Sequence, residues 1–330
     1  MKFPHRRQFL HLAVGAAAVP AVSRIAWAQT YPVRPITLVV PYAAGGPTDV
    51  IARVLAERMR ASLGQPLLIE NVVGAGGTIA LGRVARAAPD GYTILIGNLG
   101  SNVFLGATYR LDYDLVTDFS PVAQVVTNPT VIVTRKSVPA NNLMELVAWL
   151  KANQGKVSVG TSGVGAGSHI AGLLIQNRIG VRFQFVPYRG AGPAMNDLVA
   201  GQIDLMADAS PDCLPQLRAG NIKAYAVMSK SRLDAAPDIP TVDEAGLPEL
   251  YIAFWQGLWG PKHLPTSIVN RLSAASMVAM DDPRVRARLA ELGPQFPPRE
   301  QQTPEALAML QKAEIAKWWP IIKAAGIGAQ

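Results

Sequence analysis

The chain of 330 residues is poor in the side chains that build metal centres and covalent crosslinks. It has one cysteine, Cys213, and four histidines, His5, His11, His169 and His263. One thiol forms no internal disulfide, and no cysteine–histidine spacing matches a zinc centre. Charged residues are only 16% of the sequence and gather into no basic stripe, which speaks against a nucleic-acid partner. No apolar run reaches the ~20 residues of a membrane span. No cysteine stands where a lipoprotein would be cleaved and acylated.

What is present first is a leader. Lys2, Arg6 and Arg7 form a basic opening, small apolar residues run from Leu12 to Val22, and Ala26-Trp27-Ala28 places small residues where a signal peptidase reads. Residues 1–28 are therefore expected to be a signal peptide cleaved after Ala28, with the periplasm as destination. Arg6-Arg7 followed by Gln8-Phe9-Leu10 has the form of a twin-arginine signal, with an ordinary Sec signal as the alternative. Without Lys2, Arg6, Arg7 and Arg24, the 31 basic residues fall to 27 against 23 acidic ones, a net charge of +4. That mild bias suits an anionic small ligand. The length suits two lobes better than one core.

Strand and helix patterns then alternate. Ile36–Val40 reads as a strand, and Asp49–Leu63 as a helix with Ile51, Leu55 and Met59 on one face and Gly64 at its C-cap. Leu67–Glu70, a helix over Thr78–Ala88 and the strand Tyr92–Ile96 follow. The middle repeats the plan through Val157–Val159, a helix over His169–Arg178, Phe183–Val186, a helix over Ala194–Ala200, Ile203–Met206 and Ala224–Met228. The rhythm predicts parallel sheets covered by helices. No flexible linker separates the halves, so the lobes should be joined by two strand crossings, with Val122–Thr134 and Tyr251–Trp259 as candidates. Residues 29–128 with 255–330 are expected to form one lobe and 129–254 the other.

Three glycine-rich loops could carry chemistry. The first, Pro41 to Asp49, holds Tyr42, Ala43, Gly45, Gly46 and Thr48 and leads from a strand into a helix. Its glycines allow close backbone approach, and the helix start offers unpaired N–H donors to an anion; alternatively it merely connects the two elements. The second, Gly160 to His169, carries Ser162, Gly165, Ser168 and His169 in the same context. Ser168 replaces the third glycine of a dinucleotide fingerprint, and Val164 breaks a nucleophile elbow. A Ser162–His169 pair lacks an orienting carboxylate, so no enzyme is expected, and His169 reads as a helix-start residue bonded to the loop backbone. The third, Pro187 to Pro193, offers Tyr188, to cover a ligand or pack between lobes, and Arg189, to pair with a carboxylate or stay solvated. Asp204 reads as a surface or capping group, while Asp208 points to where strand ends face a cleft.

Together these loops resemble the substrate-binding receptors of tripartite tricarboxylate transporters, the Bug receptors. The matching segments run over nearly the whole chain after the leader: Pro41–Asp49, Glu70-Asn71 with Gly74–Thr78, Ala88–Thr93, Gly163–His169, Val186–Gly190, Gly201–Met206, Pro240-Thr241-Val242 with Glu244-Ala245-Gly246, and Trp255-Gln256-Gly257. Ala166 departs from similar loops, which often carry Ser or Thr there. The resemblance implies an α/β, two-lobed periplasmic binding protein clamshell (type II-like), without cofactor or metal and monomeric. It implies a small carboxylated solute held between the lobes by backbone N–H groups of the first two loops. It also implies a membrane permease of two different subunits as partner, or, as the alternative, a membrane sensor protein.

Overall fold

The computed structural model describes residues 31–324 and 326; the leader read at residues 1–28, with His5 and His11, lies outside the described residues. In chain order the elements are β1 (Ile36–Val40), α1 (Pro47–Leu63), β2 (Leu67–Asn71), α2 (Thr78–Ala85), β3 (Thr93–Asn98), α3 (Leu105–Thr108) and β4 (Phe119–Arg135). Then come α4 (Leu143–Ala152), β5 (Ser158–Thr161), α5 (Gly167–Ile179), β6 (Gln184–Pro187), α6 (Ala191–Val199), β7 (Leu205–Ala209), α7 (Ser210–Arg218) and β8 (Ile222–Val227). The chain closes with β9 (Ala253–Pro261), α8 (Thr266–Asp281), α9 (Pro283–Ala290) and α10 (Pro304–Ala324).

The strand period of two decides which face each residue covers. Ile36, Leu38 and Val40 of β1 join a cluster with Ile51, Leu55 and Met59 of α1. Val39 points the other way, toward Leu81 and Val84 of α2. Full burial of each such side chain contributes about 1.5–3 kcal/mol. α1 ends as its sequence predicts: Gly64 takes φ 75° and returns its N–H to Arg60 O at 2.9 Å.

Among the described residues, the strands form one curled sheet in the order β2-β1-β3-β9-β4-β7-β5-β6, with β8 also on β4. The strand–helix rhythm predicts parallel pairing, and the structure is mixed. β1 runs parallel to β2 and β3, and β5 to β6 and β7. β9, however, is antiparallel to β3 and β4, and β4 is antiparallel to β7 and β8. The cause is connectivity: the chain leaves the first half on β4 and returns on β9, and two such strands run in opposite senses. β4 pairs with β9 as far as Pro129, opposite Ala253, and with β7 from Thr130, opposite Ala209. The fold is a two-lobed α/β clamshell whose lobes are joined by these crossing strands.

Asp204 does more than cap a surface. It accepts Ser158 N–H at 2.9 Å, Ser158 Oγ at 2.8 Å and Arg135 Nε at 2.8 Å, tying the end of β4 to the start of β5. Burial alone would raise its carboxyl, but these bonds outweigh burial and hold it below the usual carboxylate range. Asp204→Ala orphans these donors and should cost about 2–4 kcal/mol of unfolding free energy in a urea titration.

Candidate functional site

Two helices start at the cleft with the same local device. In α1, Pro47 is the first helical residue and Gly46 the cap, and no side chain of the cap residue closes the helix start. Asp49 instead reaches back and accepts Gly45 N–H at 2.9 Å. In α5, Ala166 is the cap and His169 Nδ1 accepts Gly165 N–H at 2.9 Å. In both helices, therefore, the third residue secures the loop before the cap. The dipole and the first-turn N–H groups remain directed at the cleft.

Asp49 and His169 act from behind the site. Asp49 also binds Arg53 Nε at 2.8 Å and Asn71 Nδ2 at 2.9 Å. Burial would raise its carboxyl, yet the bonds from Arg53, Gly45 and Asn71 keep it low, hence ionised. His169 packs edge-on against Phe185, with ring centroids 4.7 Å apart. Burial lowers its pKa to about 4, so it is neutral at physiological pH and its unprotonated Nδ1 can accept the Gly165 N–H.

Between the helix starts lies a cavity of about 40 Å³. Of the sequence-predicted residues, Tyr42, Gly46, Thr48, Ser162, Ser168 and Asp208 line it. Tyr42 donates its hydroxyl to Asn98 Oδ1 at 3.1 Å, and Ser168 Oγ accepts Ser162 N–H at 2.8 Å. Tyr188 and Arg189 do not reach it. They line a second, neighbouring cavity of about 200 Å³ that shares Tyr42 and Ser162 with the first; Tyr188 donates its hydroxyl to Asp197 at 2.6 Å and Arg189 is exposed. Ala43, Gly45 and Gly165 shape the loops without lining the inner cavity.

The lobes meet through backbone. A side-chain carbon added at Gly46 would lie 4.0 Å from Gly192 N, and one at Gly190 would lie 3.3 Å from Ala43 N. The start of α6 thus abuts the loop before α1, and Tyr109 Oη bonds Val164 O across the cleft at 3.1 Å. Gly167 is needed for a different reason: a side-chain carbon there would stand 2.6 Å from the ring of Phe254.

Sequence reasoning missed the residues that β3, β4 and β9 supply. Asn98, Asn128, Phe254 and Gln256 all line the inner cavity. For Asn128 and Gln256 the available signal was a polar residue inside an otherwise apolar crossing strand, since a buried amide needs a reason to be there. Asp208 is buried, and burial pushes its carboxyl up to about 7. Nearby Asp212 is raised as well, by burial and then by the charge of Asp208. Among the described residues no group of acidic, histidine or cysteine side chains could hold a metal ion, and no helix is long and apolar enough to cross a membrane.

A bilobed α/β fold with helix starts aimed into its central cleft defines a solute-binding protein. The family profile described as "Tripartite tricarboxylate transporter family receptor" matches residues 51–327. The chain belongs to that family, whose members are solute-binding receptors and not enzymes. MatC from Rhodopseudomonas palustris, solved with bound malate, is similar at 41% identity and TM-score 0.86, over 88% of this chain and 100% of that one. The periplasmic binding protein BugD is similar at 40% identity and TM-score 0.87, over 91% and 100%. A further R. palustris protein, solved with adipate, is similar at 33% identity and TM-score 0.85, over 90% and 98%.

The neutral state of His169 has a cost in acid. Below its ordinary value of 6.5 the unfolded chain takes up a proton that the folded ring refuses until about pH 4, so stability falls as pH drops through that window. In thermal or urea unfolding, His169→Gln should reduce that loss by about 2 kcal/mol between pH 6.5 and about 4.5.

Proposed function

We propose that this protein captures a small carboxylated solute between its lobes and delivers it to a two-subunit membrane permease of the tripartite tricarboxylate type. Residues 1–28 serve as its export signal to the periplasm, read by the twin-arginine route. Residues 29–128 with 255–330 form one lobe and 129–254 the other. The observation that carries the ligand assignment is the convergence of the α1 and α5 starts on one cavity in which no lysine, arginine or histidine is a lining residue. Such ends attract anions through N–H donors and dipole. The malate and adipate held by two relatives support the same class of ligand.

In this reading the ligand carboxylate lies between the loop of Tyr42, Ala43, Gly45, Gly46, Thr48 and Asp49 and the loop of Ser162, Gly165, Ser168 and His169. Asp208 faces the same ligand. Tyr188 and Arg189 meet whatever extends toward the second cavity. Each lobe supplies part of the grip, so ligand closes the clamshell about the crossing strands.

Isothermal titration with malate and adipate tests the grip. Gly46→Val places a branched side chain against Ala43 O and Gly192 N and should abolish binding while the protein stays folded. Arg189→Ala should cost only about 1 kcal/mol, since the guanidinium is solvated. The reverse ranking would make a side-chain ion pair the grip. For export, replacing Arg6 and Arg7 together with lysine should stop periplasmic accumulation, because the twin-arginine receptor reads that pair. Normal accumulation would assign the leader to the Sec route.

A further inference from the structure

The cleft is polarised beyond its helix starts. Asn128 is fully buried, and its Nδ2 donates to Phe254 O at 3.2 Å, which turns Oδ1 away from that carbonyl with no partner. Asp208 is 4% exposed; its Oδ1 accepts Ala209 N–H at 2.8 Å, and its Oδ2 has no partner. Gln256, 1% exposed, leaves Oε1 unpartnered too. All three residues line the same inner cavity. The helix starts thus present N–H donors to the cavity, while its strand residues present buried acceptors short of a donor.

None of the neighbours of Asp208 donates to its Oδ2. The ionisable groups that face it are Tyr42 from the loop after β1, and Asp212 and Cys213 from α7. Tyr42 is committed to Asn98, Asp212 is itself acidic and raised, and Cys213 is a buried thiol bonded at 3.8 Å to the Asp208 carbonyl. β4 and β9 face it with uncharged Asn128, Thr130, Phe254 and Gln256. A buried acceptor left without a donor costs about 1–3 kcal/mol, more when it is charged. A ligand hydroxyl or ammonium removes that cost, and a methylene does not.

We propose that the cleft selects carboxylates bearing a hydroxyl or ammonium donor, and that Asp208, assisted by Asn128, is the residue that selects them. The inference rests on the carboxylate-binding reading above and names the substrate class within it. The helix-start N–H groups grip the carboxylate common to all candidates, while the strand acceptors test what lies beside it. The raised carboxyl of Asp208 fits a group whose loss of water outweighs its one bond, from Ala209 N–H.

The test compares malate with succinate, which lacks only the hydroxyl, and with aspartate as the amino analogue. Titration at about pH 8 keeps the ligand carboxylates ionised. The wild-type protein should bind malate or aspartate at least about tenfold more tightly than succinate. In Asp208→Asn the Ala209 N–H keeps hold of the amide oxygen, so the NH₂ group replaces the acceptor and the preference should fall to within about threefold. Asp208→Ala should lose the preference as well, and melting of both unliganded variants at or above the wild-type temperature shows that the fold is kept, because an unpaired buried carboxylate has been removed. Equal affinities in the wild type, or a preference unchanged in both variants, would overturn the proposal. So would succinate binding that strengthens as pH falls without any preference for malate, which would make Asp208 a proton-bearing donor. If none of these carboxylates binds at any pH, the underlying ligand reading fails and this inference falls with it.

Discussion

The architecture depends on one exchange of hydrogen-bond partners along β4. Up to Pro129 the strand is held by β9; from Thr130 it is held by β7 and β8. Proline has no N–H to contribute to a ladder, so it suits the place where one ladder stops and another begins. The register of β4 against β9 slips twice, between Pro121 and Ala123 and between Gln124 and Val126, and its register against β8 slips at Ile132/Val133. Such irregularities bend and twist a strand locally, which lets one 17-residue strand serve two differently oriented halves.

The inner cavity sits at that exchange. Asn128 precedes Pro129 on β4, Ala209 ends β7 opposite Thr130, and Phe254 and Gln256 belong to the returning strand. The crossing therefore supplies the floor, and each half contributes a helix start as a wall. The walls touch through glycine and alanine backbone, with Gly46 near Gly192 and Gly190 near Ala43. At Gly190, where φ is 136° and a side-chain carbon would press on Ala43 at 3.3 Å, the close approach of the two backbones favours glycine.

Much of this was legible from local pattern. The period of two in Ile36–Val40, the apolar face of α1 and the glycine C-caps at Gly64 and Gly180 are encoded within a few residues. The loop-before-helix context of Gly46 and Ser168 was legible for the same reason, as was the role of His169 in holding its own loop. Antiparallel insertion of β9 between β3 and β4 was not, because it joins segments more than a hundred residues apart and leaves no local trace. Beyond β9, where the strand–helix rhythm stops, the chain forms α8, α9 and α10. α10 anchors through Gln311, whose amide bonds Asn102 O and Leu115 O at 2.9 Å each, a contact no periodicity announces. Asn98, Asn128 and Gln256 escaped because spacing says nothing of which strands become neighbours.

The helix starts and the strand surface answer different physical questions. Helix starts favour an anion through fixed dipoles, each worth about 0.3–1 kcal/mol when exposed and up to about 2 when partly buried. They do so for any carboxylate, because the oxygens they meet are the same in every one. Burying a charge without a counter-ion costs several kcal/mol, so several donors must converge before such a grip is net favourable. A grip of that kind supplies affinity and leaves discrimination to the rest of the cavity. Here the rest is an acceptor surface of Asn128, Asp208 and Gln256, set on the most deeply buried strands of the fold. Rigid strands hold acceptor positions more closely than loops can, and a misplaced or absent donor is then felt at full cost. In the proposed reading, affinity resides in loop and helix-start backbone that many sequences can supply, and selectivity in a few strand side chains that a single substitution can change.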